Sequence, residues 1–223
     1  MGQRGHSKSR GLIFLQWKKK RKSSSGNRMF VRRRILSTVN RANFVNDRVS
    51  YIFLRGCWCN VIVLNVHAPS EEKSDVSNDS FYGELDHDFY HFPKYQLKIL
   101  LEDFNAKVGR KNFYKPTIGN ESLHQDSNDN GVRKVNFDTL QNLVVKSTMY
   151  PHRDVHKYNW TSPDKKTHNQ IDHISIDRRL YSSVLEVRSF NGGDCVTDHY
   201  LVVEEVRERL AVSKQKPEKF DGE

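Results

Sequence analysis

A carboxylate and an amide, Asp103 and Asn105, follow the apolar segment Leu97–Leu101. Such a segment is typical of a buried strand, and ligands of α/β sheets bind where strands end. Because side chains alternate along a strand, both residues are predicted to project to the same side. One charged and one neutral oxygen donor suit a hard metal ion or a phosphate. An Asx turn that closes a hairpin fits the same two residues equally well.

Other predicted strands also carry polar residues at their ends. The apolar segment Trp58–Val66 ends at His67, and Asp198 and His199 come directly before Tyr200–Val203. These residue types can bind a metal, a phosphate or a proton. Satisfied structural histidines are the alternative interpretation.

The alternation within Asn169–Ile176 places Asp172 on the same face as Ile174 and Ile176. A bare buried carboxylate costs several kcal/mol. Asp172 is therefore predicted to be hydrogen-bonded, paired or metal-bound, and a bridge between two loops would satisfy it as well.

The elements that must position these residues follow an α/β pattern. Apolar residues at helical spacing predict a helix over Ser80–His91, between the strands Trp58–Val66 and Leu97–Asp103. This arrangement indicates a βαβ unit or its antiparallel equivalent. The remaining predicted elements are strands over Ile35–Val39, Val49–Leu54 and Leu143–Val145 and a helix over Val132–Gln141.

The composition predicts one domain with charged ends. The chain has 223 residues and a net charge of +10, and its mean hydropathy is −0.77. Residues 1–34 hold twelve Lys and Arg and no acid, so the remainder is close to neutral. We expect a basic, disordered arm over residues 1–28, a domain over 29–209 and a charged tail over 210–223. The arm suits polyanions or nuclear import.

The same features limit the setting in which the chain works. No apolar run approaches the length of a membrane span. Three cysteines form no disulfide framework and lack metal-ligand spacing. We expect an intracellular protein that does not bind membranes.

Taken in order, the polar motifs form a recognisable series. They are Asn65-x-His67, Asp103-x-Asn105, Trp160, Asn169-x-x-Asp172 and Asp198-His199. This series resembles the endonuclease/exonuclease/phosphatase family, which includes DNase I and the abasic-site endonucleases, over about residues 29–209. More narrowly, it resembles craniofacial development protein 2-like proteins and the endonuclease domain of RTE-type non-LTR retrotransposons. The segments that carry this narrower resemblance are Leu64–Pro69, Asp103–Gly109, Ser127–Gly131 and Thr197–Val203.

The resemblance implies a DNase I-like fold, a four-layered α/β sandwich of two mainly antiparallel sheets flanked by helices. It also implies a monomer that cleaves phosphodiesters of nucleic acid, DNA above all, with Mg²⁺ or Mn²⁺ and water. The catalytic residues would be His199 as base or phosphate ligand, Asp172 to orient it, Asp103 to align water, Asn105 on a phosphate oxygen and His67 near the leaving oxygen. Asp198 and Asp103 would support the metal, and Asn65, Trp160 and Asn169 would bind substrate.

Several positions depart from the family pattern. The family opens with an Asn-containing strand and a Glu that is its main metal ligand, whereas the first Glu here is Glu71. The domain is therefore expected to be N-terminally truncated, with weakened metal binding. Glu102 stands where the family has Gly, Asn159 replaces a Thr and Lys165 replaces a turn Gly.

These departures lead us to expect a retroelement-derived endonuclease domain with weak or no activity. Two alternatives stay open at this point. One is a non-catalytic nucleic-acid-binding protein that uses the basic arm. The other is a captured reading frame without function.

Overall fold

The computed structural model describes residues 12–13, 31–71, 73–190, 198–207 and 210, apart from the side chains of Leu12, Ile13 and Glu102. Two α-helices are present in these ranges, α1 (Asp75–Tyr90) and α2 (Asp129–Leu140). The strands are β1 (Leu12–Ile13), β2 (Val39–Phe44), β3 (Val49–Leu54), β4 (Val61–His67), β5 (Leu97–Asp103), β6 (Leu143–Val145), β7 (Trp160–Thr161), β8 (His168–Asn169), β9 (Asp172–Asp177), β10 (Val184–Phe190) and β11 (Leu201–Val206). Most of the predicted basic arm and the tail beyond residue 210 lie outside the described residues.

Two sheets form the centre of the fold. The larger has the strand order β2-β3-β4-β5-β9-β6, and the smaller has the order β1-β11-β10. A separate hairpin pairs β7 with β8. Strands β4 and β5 run parallel with α1 between them, and the other named pairs are antiparallel. This confirms the expected sandwich of mainly antiparallel sheets. Of the two arrangements predicted for β4, α1 and β5, the structure has the parallel βαβ unit.

Both described α-helices pack on one face of the larger sheet. Phe81, Leu85 and Phe89 recur every four residues of α1 and are buried, so they present one apolar stripe to the sheet. Arg133 of α2 bridges to α1 through Asp75 and Asp79, each at 2.9 Å.

The opposite face of the larger sheet packs against the smaller sheet. Residues of β4, β5 and β9 that face it alternate with those that face the helices. The inter-sheet core includes Val63, Ile99 and Ile174 on one side and Val187 and Val206 on the other. Asp172, which shares the alternation of Ile174, therefore starts at the rim of this inter-sheet core.

Two predicted strands begin in the wrong place. Ile35–Val39 is almost entirely a 3-10 helix, Arg33–Thr38, and the strand starts only at Val39. The segment around Trp58 is a bend, the Trp58 side chain is exposed, and β4 begins at Val61. In both cases apolar residues occur without the hydrogen-bond partners of a sheet, which periodicity alone does not reveal.

Lys165 stands where the family pattern has a turn Gly, and its position in the structure is one that favours glycine. It has a φ of 59° in the turn between β7 and β8. Its N–H donates to the carbonyl of Ser162 at 2.8 Å, which closes the turn. A left-handed backbone costs a residue with a Cβ roughly 1 kcal/mol. The hairpin tolerates this cost because Ser162 and Asp164 provide further hydrogen bonds within the turn.

Glu204 of β11 is a carboxyl group buried in the interior of the protein. Its Oε1 has no hydrogen-bond partner among the residues that the structure describes. Burial raises the pKa of Glu204 to about 8, although the positive charge of Lys146 acts in the opposite direction. The Lys146 ammonium lies 3.8 Å from the ring centre of Tyr181. The folded protein therefore favours the protonated form of Glu204.

Replacing Glu204 should reverse a pH-dependent loss of stability. A folded-state pKa above the ordinary value of 4.5 means that the folded form binds the extra proton. Its contribution is complete below pH 4.5 and is lost as the pH rises through about 8. We expect Glu204→Gln to raise the free energy of unfolding by about 1–3 kcal/mol at alkaline pH and to change it little at acid pH. Urea unfolding at both pH values measures this, with Glu205→Gln, the half-buried next residue of β11, as the control. Equal effects of Glu204→Gln at both pH values would contradict the prediction.

Candidate active site

Three of the predicted site residues form one row across the larger sheet. His67 at the end of β4 is the register partner of Asp103 at the end of β5. Asp103 is in turn the register partner of Asp172 at the start of β9. Neighbouring residues in such a row have their side chains on the same face, so all three lie at the rim of the inter-sheet core. His67 Nδ1 is 3.2 Å from Asp103 Oδ2.

The chain segment that leads into β11 brings His199 to this row. Its Nδ1 is 3.0 Å from Asp172 Oδ2. His199 also forms an isolated bridge with Trp160, so the β7–β8 hairpin holds its backbone. Asp198 points elsewhere, because its Oδ2 accepts a hydrogen bond from Trp160 Nε1 at 3.3 Å and the residue is exposed.

The charges of this cluster shift the pKa values of its members in opposite directions. Burial raises the pKa of Asp172 to about 7, and the negative charge of Asp103 adds to this effect. Burial also acts to raise the pKa of Asp103, but hydrogen bonding to His67 and the charge of His199 lower it overall. Burial acts to lower the pKa of His199, but Asp172 and Asp103 raise it to about 9. Without a bound cation, the imidazolium form of His199 therefore balances the two carboxylates at neutral pH.

Asp172→Asn should release the proton that His199 holds. We expect the pKa of His199 to fall from about 9 by at least about one unit, because the variant removes the closest negative charge while burial remains. NMR titration of the imidazole C–H resonances measures this. Asp164→Asn, in the exposed hairpin turn, is the matched control and should leave the titration of His199 unchanged. An unaltered titration in Asp172→Asn would show that the ion pair does not hold the proton.

Asn159 fixes the backbone beside Asp172. This asparagine is fully buried, and its Oδ1 accepts hydrogen bonds from the backbone N–H groups of Ile171 at 2.9 Å and Asp172 at 3.1 Å. Its Nδ2 donates to the carbonyl of Asp172. The sequence marked Asn159 only as a departure from the family pattern. In the structure it holds the carboxylate that contacts His199.

The segment Ser127–Gly131 ties together the two loops that follow β4 and β5. Asn130 is buried, and its Nδ2 donates to the carbonyls of Pro69 and Phe104, both at 3.3 Å. Asn128 caps α2 by accepting from Gly131 N–H, and the same oxygen accepts from Lys107 N–H at 2.9 Å. A Cβ at residue 131 would lie 1.9 Å from the carbonyl oxygen of Lys107, so only glycine fits there. In the sequence this motif carried only the family resemblance, without a predicted role.

Asn130→Ala should loosen both loops at once. The variant leaves two buried carbonyl groups without their donor, so we expect a loss of about 1–3 kcal/mol in the free energy of unfolding. We also expect faster amide hydrogen exchange in residues 67–71 and 104–109. Asn136→Ala, at an exposed position of the same helix, is the control. Equal exchange in the two variants would mean that Asn130 does not connect the loops.

The other predicted substrate and phosphate residues lie in three places around the row. Asn65 is buried on β4, two residues before His67 and on the same face. Asn169 pairs with Trp160 in the β7–β8 hairpin. Asn105 does not continue the alternation of β5, because the strand ends at Asp103 and Asn105 has a φ of 49°. The prediction that it projects with Asp103 by strand alternation is wrong, and its Nδ2 lies 3.4 Å from the carbonyl oxygen of Ala68.

The cluster has the donors that a divalent cation requires. Asp103, Asp172 and His199 each offer one ligand atom, and the three atoms lie within 4.8 Å of one another. Asp103 Oδ1 and Asp172 Oδ1 are buried and receive no hydrogen bond from the described residues. A shared proton or a cation between the carboxyl groups would satisfy both oxygens. The residues present therefore fit a metal, whereas Asp198 lies outside this group of three.

Comparisons with known proteins show which sequences and folds the chain is similar to. No model of a protein family matches the chain. The chain is 29% identical over 198 residues to craniofacial development protein 2 of Tragulus javanicus and 30% identical over 188 residues to that of Bos taurus. These matches cover 89% and 84% of this chain but 34% and 31% of the two relatives. The chain thus spans about a third of the length of the curated relatives that it matches.

Solved structures share the fold at low sequence identity. The 3′ phosphatase NExo from Neisseria bound to product DNA hairpin has a TM-score of 0.56 at 18% identity and covers 76% of this chain and 72% of its own. An AP endonuclease from Archaeoglobus fulgidus has a TM-score of 0.54 at 13% identity, with coverage of 77% and 72%. The endonuclease domain of TRAS1, a telomere-specific non-LTR retrotransposon, has a TM-score of 0.52 at 11% identity, with coverage of 73% and 64%.

Proposed function

Because this chain has the DNase I-like fold of the endonuclease/exonuclease/phosphatase proteins and resembles craniofacial development protein 2, we propose that it is a metal-dependent phosphodiesterase domain that acts on nucleic acid, DNA above all. The row His67–Asp103–Asp172 with His199 carries the proposal. It places two carboxylates and two imidazoles, which phosphodiester hydrolysis uses, in one cluster. Similarity to TRAS1 and the shared motifs support a retroelement origin.

The roles of the residues follow from their contacts. Asp172 fixes the orientation of the His199 imidazole through its Nδ1. Asp103, whose pKa is lowered, stays ionised and accepts the proton of the attacking water. As the new phosphorus–oxygen bond forms, the bond to the leaving oxygen breaks, and that oxygen, with His67 beside it, takes a proton from the imidazolium of His199. Asn65, Asn105, Trp160 and Asn169 would contact the phosphate and the flanking nucleotides.

Mg²⁺ or Mn²⁺ would be held by Asp103 and Asp172 with His199 beside them, and it would neutralise charge on the phosphate. A site with only two carboxylates suits Mn²⁺ better than Mg²⁺, because Mg²⁺ demands near-ideal octahedral geometry and dehydrates reluctantly. Asp198, which the resemblance assigns to the metal, would reach it only by leaving Trp160. We therefore expect slow cleavage, with Mn²⁺ supporting it more than Mg²⁺.

A plasmid-nicking assay on the 223-residue chain tests this function. We expect slow relaxation of supercoiled DNA in Mn²⁺, less in Mg²⁺ and none with a chelator. His199→Ala should reduce the rate by at least about tenfold, since it removes a proton-transfer group. His87→Ala, at an exposed position of α1, is the control and should cleave at the unaltered rate. Cleavage that His199→Ala leaves unchanged, or no metal-dependent cleavage at all, would contradict the proposal.

The second candidate function is non-catalytic binding of nucleic acid through the basic arm. The twelve cations and no acid in residues 1–34 favour it. Replacing Lys18–Lys22 by serines would then weaken DNA binding and reduce its salt dependence, because fewer counterions are released. Binding without cleavage would favour this function over the first.

No helix of the described residues is long and apolar enough to cross a membrane. A monomeric state and a nuclear location stay predictions.

A further inference from the structure

The loop between β5 and α2 begins with a basic stretch, and one of its cations, Lys111, pairs with Asp126 of the same loop at 3.3 Å. Residues 104–120 contain four cations, Lys107, Arg110, Lys111 and Lys115, and neither Asp nor Glu. The first acid on either side, Asp103 and Glu121, lies at the base of the loop. This stretch therefore presents a local positive potential to a polyanion, although the domain as a whole is close to neutral.

An exposed aromatic ring lies in the middle of this basic stretch. Phe113, in the 3-10 turn Asn112–Tyr114, is 72% exposed. Its ring centre is 3.9 Å from that of Tyr114, which packs against the small core of Val108, Ile118, Val135 and Val145. Tyr114 thus anchors the turn inward while Phe113 remains available to solvent. An exposed Phe costs free energy in water, and stacking on an aromatic partner would recover it.

The turn is held in place by hydrogen bonds. The backbone N–H of Arg110 donates to the carbonyl of Gln125 at 3.1 Å, and its Nε donates to the carbonyl of Ser122 at 2.7 Å. Thr117 N–H donates to the carbonyl of Tyr114 at 2.9 Å. A surface that is already ordered loses little conformational entropy when a ligand binds.

The base of the loop is fixed beside the candidate active site. Leu123 N–H donates at 2.9 Å to the side-chain oxygen of Gln170, which lies two residues before Asp172. Gly109 N–H donates to Ser127 Oγ at 2.9 Å, next to the segment that ties the site loops together. These two contacts connect the base of the basic stretch to segments that also hold the candidate active site.

We propose that Phe113 stacks on an unpaired base of single-stranded nucleic acid, while the lysines and Arg110 contact the neighbouring phosphates. Every base has an aromatic face, but in a duplex that face is already stacked on its neighbours, so the surface selects unpaired segments. The proposal rests on the proposed function, since it names the form of nucleic acid that the domain takes. Tyr90 is a useful contrast because it is 80% exposed but lies on α1 near Asp86 and Asp88, which repel phosphate.

Fluorescence anisotropy without divalent metal tests the surface independently of cleavage. The probes are labelled oligothymidylate and a labelled duplex of equal length. We expect Phe113→Ala to weaken single-strand binding about 5- to 100-fold and duplex binding much less, in line with stacking of one base. Lys115→Ala should weaken both and reduce the salt slope by about one. Tyr90→Ala, the matched exposed aromatic, should bind both probes as the unaltered chain does.

A second variant detects the stack directly. Phe113→Trp should retain single-strand binding, and its added tryptophan emission should be quenched by oligothymidylate. Unchanged binding by Phe113→Ala, or equal losses for single strand and duplex, would overturn the stacking proposal while leaving the phosphodiesterase proposal intact. Failure of the nicking assay together with normal single-strand discrimination would overturn the phosphodiesterase proposal alone.

Discussion

The arrangement of the site depends on two buried carboxylates, Asp103 and Asp172, that face each other across neighbouring strands. Like charges at this distance cannot both ionise in a poorly solvated place unless positive charge lies beside them. His199 provides it beside Asp172, and His67 lies beside Asp103 on the other outer side of the pair. The side chains of Asn159, Asn128 and Asn130 form hydrogen bonds with backbone groups of the strand ends and loops around the pair. These bonds fix the backbone, and the two carboxylates keep their positions only if it stays fixed. Polar residues that touch no substrate thus keep the carboxylates together.

The sequence predicted the sheet positions of this site well because strand register follows from alternation. Val61–Val66 and Leu97–Leu101 are buried runs that end at His67 and Asp103, and parallel pairing brings those ends together. The placement of Asp172 beside Ile174 and Ile176 followed from the same period of two. The position of Asn105 could not be predicted in this way. It has a left-handed backbone conformation two residues after the end of β5, and periodicity does not reveal such a conformation. The orientation of Asp198 could not be predicted either, since its hydrogen bond with Trp160 depends on a hairpin 38 residues away.

Departures from a family pattern had opposite meanings at two positions. Lys165 has a backbone conformation that its Cβ disfavours, as expected for a turn that prefers glycine. Asn159 instead makes three hydrogen bonds to residues 171 and 172 and is well suited to its position. A substitution read from sequence alone therefore indicates a change, and only the contacts show whether the change is a cost or an adaptation. The Lys134–Asp138–Ser175 network, which is fully buried between α2 and β9, is a further polar arrangement that composition and periodicity did not predict.

The smaller sheet has a consequence for how the chain associates with other chains. Strand β11 follows His199 and is covered on one side by β10 and on the other by the two residues of β1. Among the residues that the structure describes, Leu12 and Ile13 occupy the edge along which the backbone groups of β11 would otherwise be open. An open strand edge is a template for pairing with a foreign strand. Loss of β1 would therefore turn β11 into a site for strand addition, and the domain would gain a tendency to dimerise or aggregate beside its own histidine.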